Sequence, residues 1–128
     1  LGELPGVTVT GSVPEVQPYV LKAALTVAPL TIARGTQNKI LESLAMGVPV
    51  VASSLSAGGV DAIPEEHLLV ADRPEDCARQ ILRILGDRSM RRRLSEAGRA
   101  RMLTNHDWTR SMKKLDGIIE ETVTRKLR

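Results

Sequence analysis

From Pro29 to Lys39 the chain runs Pro-Leu-Thr-Ile-Ala-Arg-Gly-Thr-Gln-Asn-Lys and then enters an apolar pattern, Ile40, Leu41, Leu44 and Ala45, at helical spacing. Asn38 is a good N-cap for that helix, and Gly47 a good stop. Arg34 and Lys39 therefore fall at the amino end of a helix. A positive side chain there opposes the helix dipole, at a cost of a few tenths of a kcal/mol up to ~1 kcal/mol. An anion removes the conflict, and the unpaired backbone N–H groups at the same end favour a phosphate, so a diphosphate suits both features. Glu42, about one turn further on, offers a carboxylate that accepts two hydroxyl donors at once, as a ribose diol supplies them. Residue types alone leave the plainer alternatives standing: two solvated cations on a surface loop, and a solvated glutamate.

Other chemistry has less to stand on. His67 and His106 are far apart, and no Cys, His and Asp cluster has metal-ligand spacing, so no metal is expected; the histidines read as turn and helix-entry residues. Ser53, Ser54 and Ser56 lack the Gly-x-Ser-x-Gly pattern that exposes a nucleophile. Asp61 and the Glu65-Glu66 pair carry no assignment.

The elements that must position Arg34, Lys39 and Glu42 alternate between strand and helix. Val7–Thr10 is a β-branched run between turn signals, and a short helix follows around Val16, Tyr19, Val20 and Ala23, with Pro18 tolerable only in its first turn. Leu25–Ala28 and Val48–Ala52 are apolar strands on either side of the Asn38 helix, Ser53–Gly59 is a small-residue loop, and Leu68–Ala71 is a fourth strand. A helix then begins at Pro74, capped by Asp72 or Arg73, and stops at Gly86. Two more helices cover about Ser89–Leu103 and the segment after Asp107, where Trp108, Met112, Leu115, Ile119 and Thr122 make a stripe. Nearly continuous apolar strands separated by helices predict an α/β fold: a Rossmann-like parallel sheet with helices on both faces. In such sheets ligands bind beyond the carboxyl ends of the strands, which directs attention to the loops at 11–14, 29–38 and 53–59.

Four strands are few for this architecture, and no glycine-rich phosphate turn opens the chain. Leu1-Gly2-Glu3-Leu4-Pro5 has neither an initiating Met nor a leader pattern, so the expectation is a chain that begins inside its domain, with an exposed sheet edge open to homodimer formation. With 128 residues, 42% of them hydrophobic, one core is the limit. The single cysteine, Cys77, falls on the inner side of a helix as a small core residue and fits a reducing, cytoplasmic compartment. The net charge of +3 is concentrated after Arg83, but Arg91, Arg92, Arg93, Arg99 and Arg101 interleave with Met90, Leu94 and Glu96 as on a solvated helix face. Tyr19 and Trp108 are the whole aromatic inventory, so nucleic acid is not an expected partner; anionic lipid headgroups, and with them peripheral contact at the inner face of a membrane, stay open.

One stretch is more specific than its composition. Leu41-Glu42-Ser43-Leu44-Ala45-Met46-Gly47-Val48-Pro49-Val50-Val51-Ala52-Ser53, preceded by a strand that ends at Pro29 and a glycine-bearing loop, resembles the donor-binding signature of family 4 glycosyltransferases, which have the GT-B fold of two facing Rossmann-like domains. The likeness extends back through Val9-Thr10-Gly11-Ser12-Val13, similar to the strand and turn beside the nucleotide base, and forward to Trp108. It implies that residues 1–128 are part of the C-terminal, nucleotide-sugar-binding domain, with the N-terminal acceptor domain elsewhere. It further implies that Glu42 binds the ribose hydroxyls, that Val13 lies at the base, and that the backbone of Gly35, Thr36, Gln37 and Asn38 approaches donor sugar and phosphate, with Gly58 and Gly59 at a second such loop.

Eight positions before Glu42 the family has a second glutamate, which touches the donor sugar, but this chain has Arg34. That cation either faces the diphosphate, or faces an acidic sugar, or marks a rearranged sugar site. The run Ile32–Lys39 most resembles bacterial sugar transferases of exopolysaccharide and protein-sorting clusters, which implies a glycan or lipid-linked acceptor. The expected activity is glycosyl transfer from a nucleoside-diphosphate sugar to a hydroxyl with retention, needing no cofactor, with Arg34 and Lys39 stabilising the diphosphate and these residues inactive alone. The competing readings are a non-catalytic nucleotide- or phosphate-binding α/β module and a basic membrane-surface domain.

Overall fold

The computed structural model describes residues 2–126. In chain order the elements are α1 (Gln17–Lys22), β1 (Thr26–Ala28), α2 (Asn38–Ala45), β2 (Val50–Ala52), α3 (Ser54–Ala57), β3 (Leu69–Val70), α4 (Pro74–Gly86), α5 (Arg88–Asn105) and α6 (Trp108–Lys126). The strands form one parallel sheet in the order β1-β2-β3. Val27 aligns with Val51 and Val51 with Leu69, while Ala28 aligns with Ala52 and Ala52 with Val70. Successive side chains point to opposite faces, so each row enters a different core. Val51 and Leu69 pack with Ile84 of α4 and Leu94 of α5; on the other face Ala28, Val50 and Ala52 pack with Ile40 and Leu44 of α2 and Met102 of α5. The expected α/β fold, a parallel sheet flanked by helices, is the observed one.

The strands at Leu25–Ala28, Val48–Ala52 and Leu68–Ala71 are each shorter than their apolar runs. The expected strand at Val7–Thr10 does not form: all four residues are exposed and irregular. A β-branched run becomes a strand only when a neighbouring backbone takes its N–H and C=O groups, and none lies beside this one among the described residues. The expected loop at Ser53–Gly59 contains α3, because Ser53 caps it by accepting the Ser56 N–H at 3.2 Å. At the start of α4 neither Asp72 nor Arg73 supplies a side-chain cap. Asp72 is drawn instead to α3, accepting the Ser54 N–H and hydroxyl at 2.8 Å each.

The arginines of α5 lie on a largely solvated face as expected, Arg92, Arg93 and Arg99 being exposed, and three of them also hold main-chain carbonyls: Arg93 donates to Glu65 at 3.0 Å, Arg99 to Ala45 at 2.7 Å and Arg101 to Asp61 at 3.1 Å. Ser95 donates to the Gly47 carbonyl beside them. His67 lies in a turn, as expected, but is buried, with Nδ1 accepting the Ile63 N–H at 2.9 Å. Glu65, at φ 65°, turns the chain so that its carbonyl meets Arg93 and its carboxylate meets Arg83. The Asp61 carboxyl is held below its ordinary value by hydrogen bonds from Asn105 and then Arg101.

Gly98 lets α5 reach α2. A Cβ there would stand 2.8 Å from Leu44 Cδ2 and 3.1 Å from the His67 carbonyl oxygen. Gly98→Ala should therefore lower stability by about 1–3 kcal/mol, the usual range for overpacking, despite alanine's better helix propensity. A urea midpoint equal to or above the parent's would show that the two helices separate freely. Asp61 sets a pH dependence: its folded value is depressed, so its contribution is present above the unfolded carboxyl value of about 3.9 and lost as pH falls through the folded value. Asp61→Asn should flatten the acid limb of the stability curve below about pH 4, measured by thermal denaturation across pH.

Candidate functional site

The loop between β1 and α2 leaves the carboxyl end of the sheet and is fixed from beneath. Ser53, at the end of β2, donates its N–H to the Ala28 carbonyl at 3.1 Å and its hydroxyl to the Leu30 carbonyl at 2.8 Å. Gln37 is buried, and its amide donates back to the Arg34 and Gly35 carbonyls at 3.4 and 3.3 Å. Gly35 turns the loop at φ 67°, a region where a side chain is strained. Gly59, after α3, touches it from the other side: a Cβ at Gly59 would stand 2.6 Å from the Gly35 carbonyl oxygen.

These contacts decide which groups the loop presents. Gln37, not Asn38, occupies the cap of α2; its NH2 donates to loop carbonyls, and no side chain caps the helix. Arg34, Gly35, Thr36, Asn38, Lys39 and Glu42 are exposed on one continuous stretch. No ion pair among the described residues includes Arg34, Lys39 or Glu42. An uncapped helix start flanked by two unpaired cations presents donors and positive charge to an anion and nothing that opposes it. One turn on, the Glu42 carboxylate opens on a cavity of about 570 Å³ whose walls include Leu41, Met102, His106 and Trp108.

Arg34, Gly35, Thr36, Asn38, Lys39 and Glu42 are all exposed, of these Glu42 alone lines the cavity beside Trp108, and the Gln37 side chain is withdrawn into the loop's support. Val13 is half-buried in irregular chain ahead of α1 and lines no part of the Glu42 cavity. Gly58 is exposed at the end of α3, and Gly59 belongs to the site by supporting Gly35.

Sequence reasoning missed a second hollow, about 730 Å³, across the carboxyl ends of all three strands, walled by Leu30, Ser53, Ala71, Asp72 and, from α4, Cys77 and Ile81. The rule that ligands lie beyond strand ends marks its residues after the fact; which face of the sheet stays open there depends on α4. Trp108 was equally out of reach, since only the turn between α5 and α6 brings it to Glu42.

Residues 1–87 match a family model described as "Glycosyl transferases group 1", a span that includes the sheet, the Arg34–Glu42 stretch and α4. No curated protein matches the chain. Among the described residues no helix is long and apolar enough to cross a membrane.

The Gly35 carbonyl cannot stay where it is with a methyl group 2.6 Å away. Gly59→Ala should shift the loop, cost about 1–3 kcal/mol of stability, and move the backbone amide signals of residues 34–39. Amide chemical shifts there that match the parent's would show that Gly59 does not support the loop.

Proposed function

The chain belongs to the group 1 glycosyl transferases, and from that premise we propose that residues 34–42 hold a nucleoside-diphosphate sugar whose glycosyl group passes to an acceptor hydroxyl. The observation that carries this reading is the pinned loop ending on an uncapped helix between two unpaired cations. In the transfer, the bond from the anomeric carbon to the diphosphate oxygen breaks, the acceptor oxygen bonds to that carbon with retention, and the hydroxyl proton passes to the departing diphosphate. Negative charge grows on the departing diphosphate. Arg34, Lys39 and the first N–H groups of α2 stabilise it where it develops, Glu42 accepts the ribose diol, and Gly35 allows the backbone to approach the phosphates.

The finer assignment is a family 4 enzyme of the GT-B type in bacterial exopolysaccharide or glycan synthesis, acting in the cytoplasm at the inner face of the membrane. These residues would form its donor-binding part, and a separate acceptor domain would place a glycan or lipid-linked substrate; alone, they bind without turnover. Three features support a larger unit. Among the described residues the outer edge of β1 has no partner strand. Val27, in line with fully buried Val51 and Leu69, is 38% exposed. The apolar residues of α6, Trp108, Met112, Leu115 and Ile119, all face solvent. A second copy at the β1 edge would cover the first of these.

Calorimetric titration with UDP, GDP and ADP tests the reading. Binding of at least one is expected, weakened about tenfold by Glu42→Ala, as for loss of about 1.4 kcal/mol of hydrogen bonding to a charged group. Arg34→Ala with Lys39→Ala should weaken it further and flatten its salt dependence. Absence of binding to all three, or binding indifferent to Glu42 and the two cations, overturns the assignment. If the chain joined to an acceptor domain still binds without turnover, the non-catalytic module is the correct reading.

A further inference from the structure

At the other end of the sheet, ahead of β1 and β2, lies a cavity of about 410 Å³ walled by Leu21, Met46, Pro49, Arg88, Arg91 and Arg92. α2 runs between this cavity and the donor loop, with Met46 beyond its last turn, so the two are separated by about 12 Å of helix. The three arginines differ in how they are used. Arg92 is paired with Glu96 at 2.7 Å. Arg88 and Arg91 are in no ion pair among the described residues, although Arg91 is half-buried. Further along α5, Arg93, Arg99 and Arg101 all reach carbonyl oxygens, so unused guanidinium groups are not the habit of this helix.

Two cations facing one concavity repel each other, and a bound anion relieves that cost. The first turn of α5 carries no acidic residue, and Asp87, at the cap, accepts the Met90 N–H at 2.9 Å and forms no ion pair with either arginine among the described residues. Guanidinium groups present paired donors suited to phosphate oxygens. The rim adds an apolar element, since Leu21, which lines the cavity, is 61% exposed.

We propose that this cavity binds a phosphate group through Arg88 and Arg91, as a second anion site independent of the donor loop. Free phosphate and a phospholipid headgroup share the chemistry; the apolar rim tells them apart, because Leu21 contributes only when acyl chains are near.

The test uses the chain carrying Arg34→Ala and Lys39→Ala, so that the donor loop is silent. Inorganic phosphate is titrated by calorimetry, and vesicles of phosphatidylglycerol in phosphatidylcholine are sedimented beside vesicles of phosphatidylcholine alone. Adding Arg88→Gln and Arg91→Gln should weaken phosphate or anionic-vesicle binding at least about tenfold while the thermal midpoint is kept or rises, since like charges are removed. Loss of vesicle binding in Leu21→Ser with phosphate binding retained identifies the headgroup; indifference of both to Leu21→Ser identifies the free anion. Equal binding by the Gln variants and their parent, or no binding of either probe by the parent, overturns the site. Glu42→Ala should leave all of these signals unchanged, which separates failure here from failure at the donor loop.

Discussion

The contact on which the arrangement depends is that of the α5 backbone, at Gly98, with Leu44 of α2 and the carbonyl of His67. A strand of two or three residues has too few ladder bonds to hold a sheet by itself, and all three strands here are that short. Stability must come from the layers packed on them. α5 reaches both layers, sending Leu94 to one core and Met102 to the other. Only a residue without a side chain at position 98 lets it lie near enough to do so. With α2 held against β1 and β2, its amino end has one place to go, above the carboxyl edge of the sheet.

The same helix turns surface charge into architecture. Carbonyls at the end of α2 and in the 61–67 connection have no strand or helix to receive, and they would otherwise be met by water. Arg93, Arg99 and Arg101 span to them with long, partly apolar stems. Each bond is charge-assisted, and several act from one rigid rod, so they fix the end of α2 and the connection between α3 and β3 more firmly than isolated surface pairs do. The strained backbone at Glu65 persists because Arg83 and Arg93 hold it from two sides.

Above the sheet the logic is reversed. Ser53, Gln37 and Gly59 satisfy or crowd the lower side of the β1–α2 loop, and what remains on its upper side is an uncapped helix start with unpaired charge. Polar groups spent on support leave the others unpartnered, so the upper side of the loop presents groups held in place from below.

Much of this was legible in the residues. Apolar runs of four or five between turn signals gave three of the strands, and helical spacing gave α2, α4 and α5, because burial against a neighbour is written into periodicity. The Arg34–Glu42 stretch was legible for the same reason: a glycine loop, a helix start and flanking charge are local. The Val7–Thr10 run misled because strand propensity is realised only through a partner, and the roles of Arg93, Arg99, His67 and Gln37 were hidden because each depends on a carbonyl or amide brought near by the fold. By itself, then, the sequence determined an α/β layering and the chemical character of one loop. Tertiary structure alone decided which side of that loop is support and which is open, since the bond from Ser53 to the Leu30 carbonyl, 23 positions away, and the close approach of Gly59 to Gly35 set it.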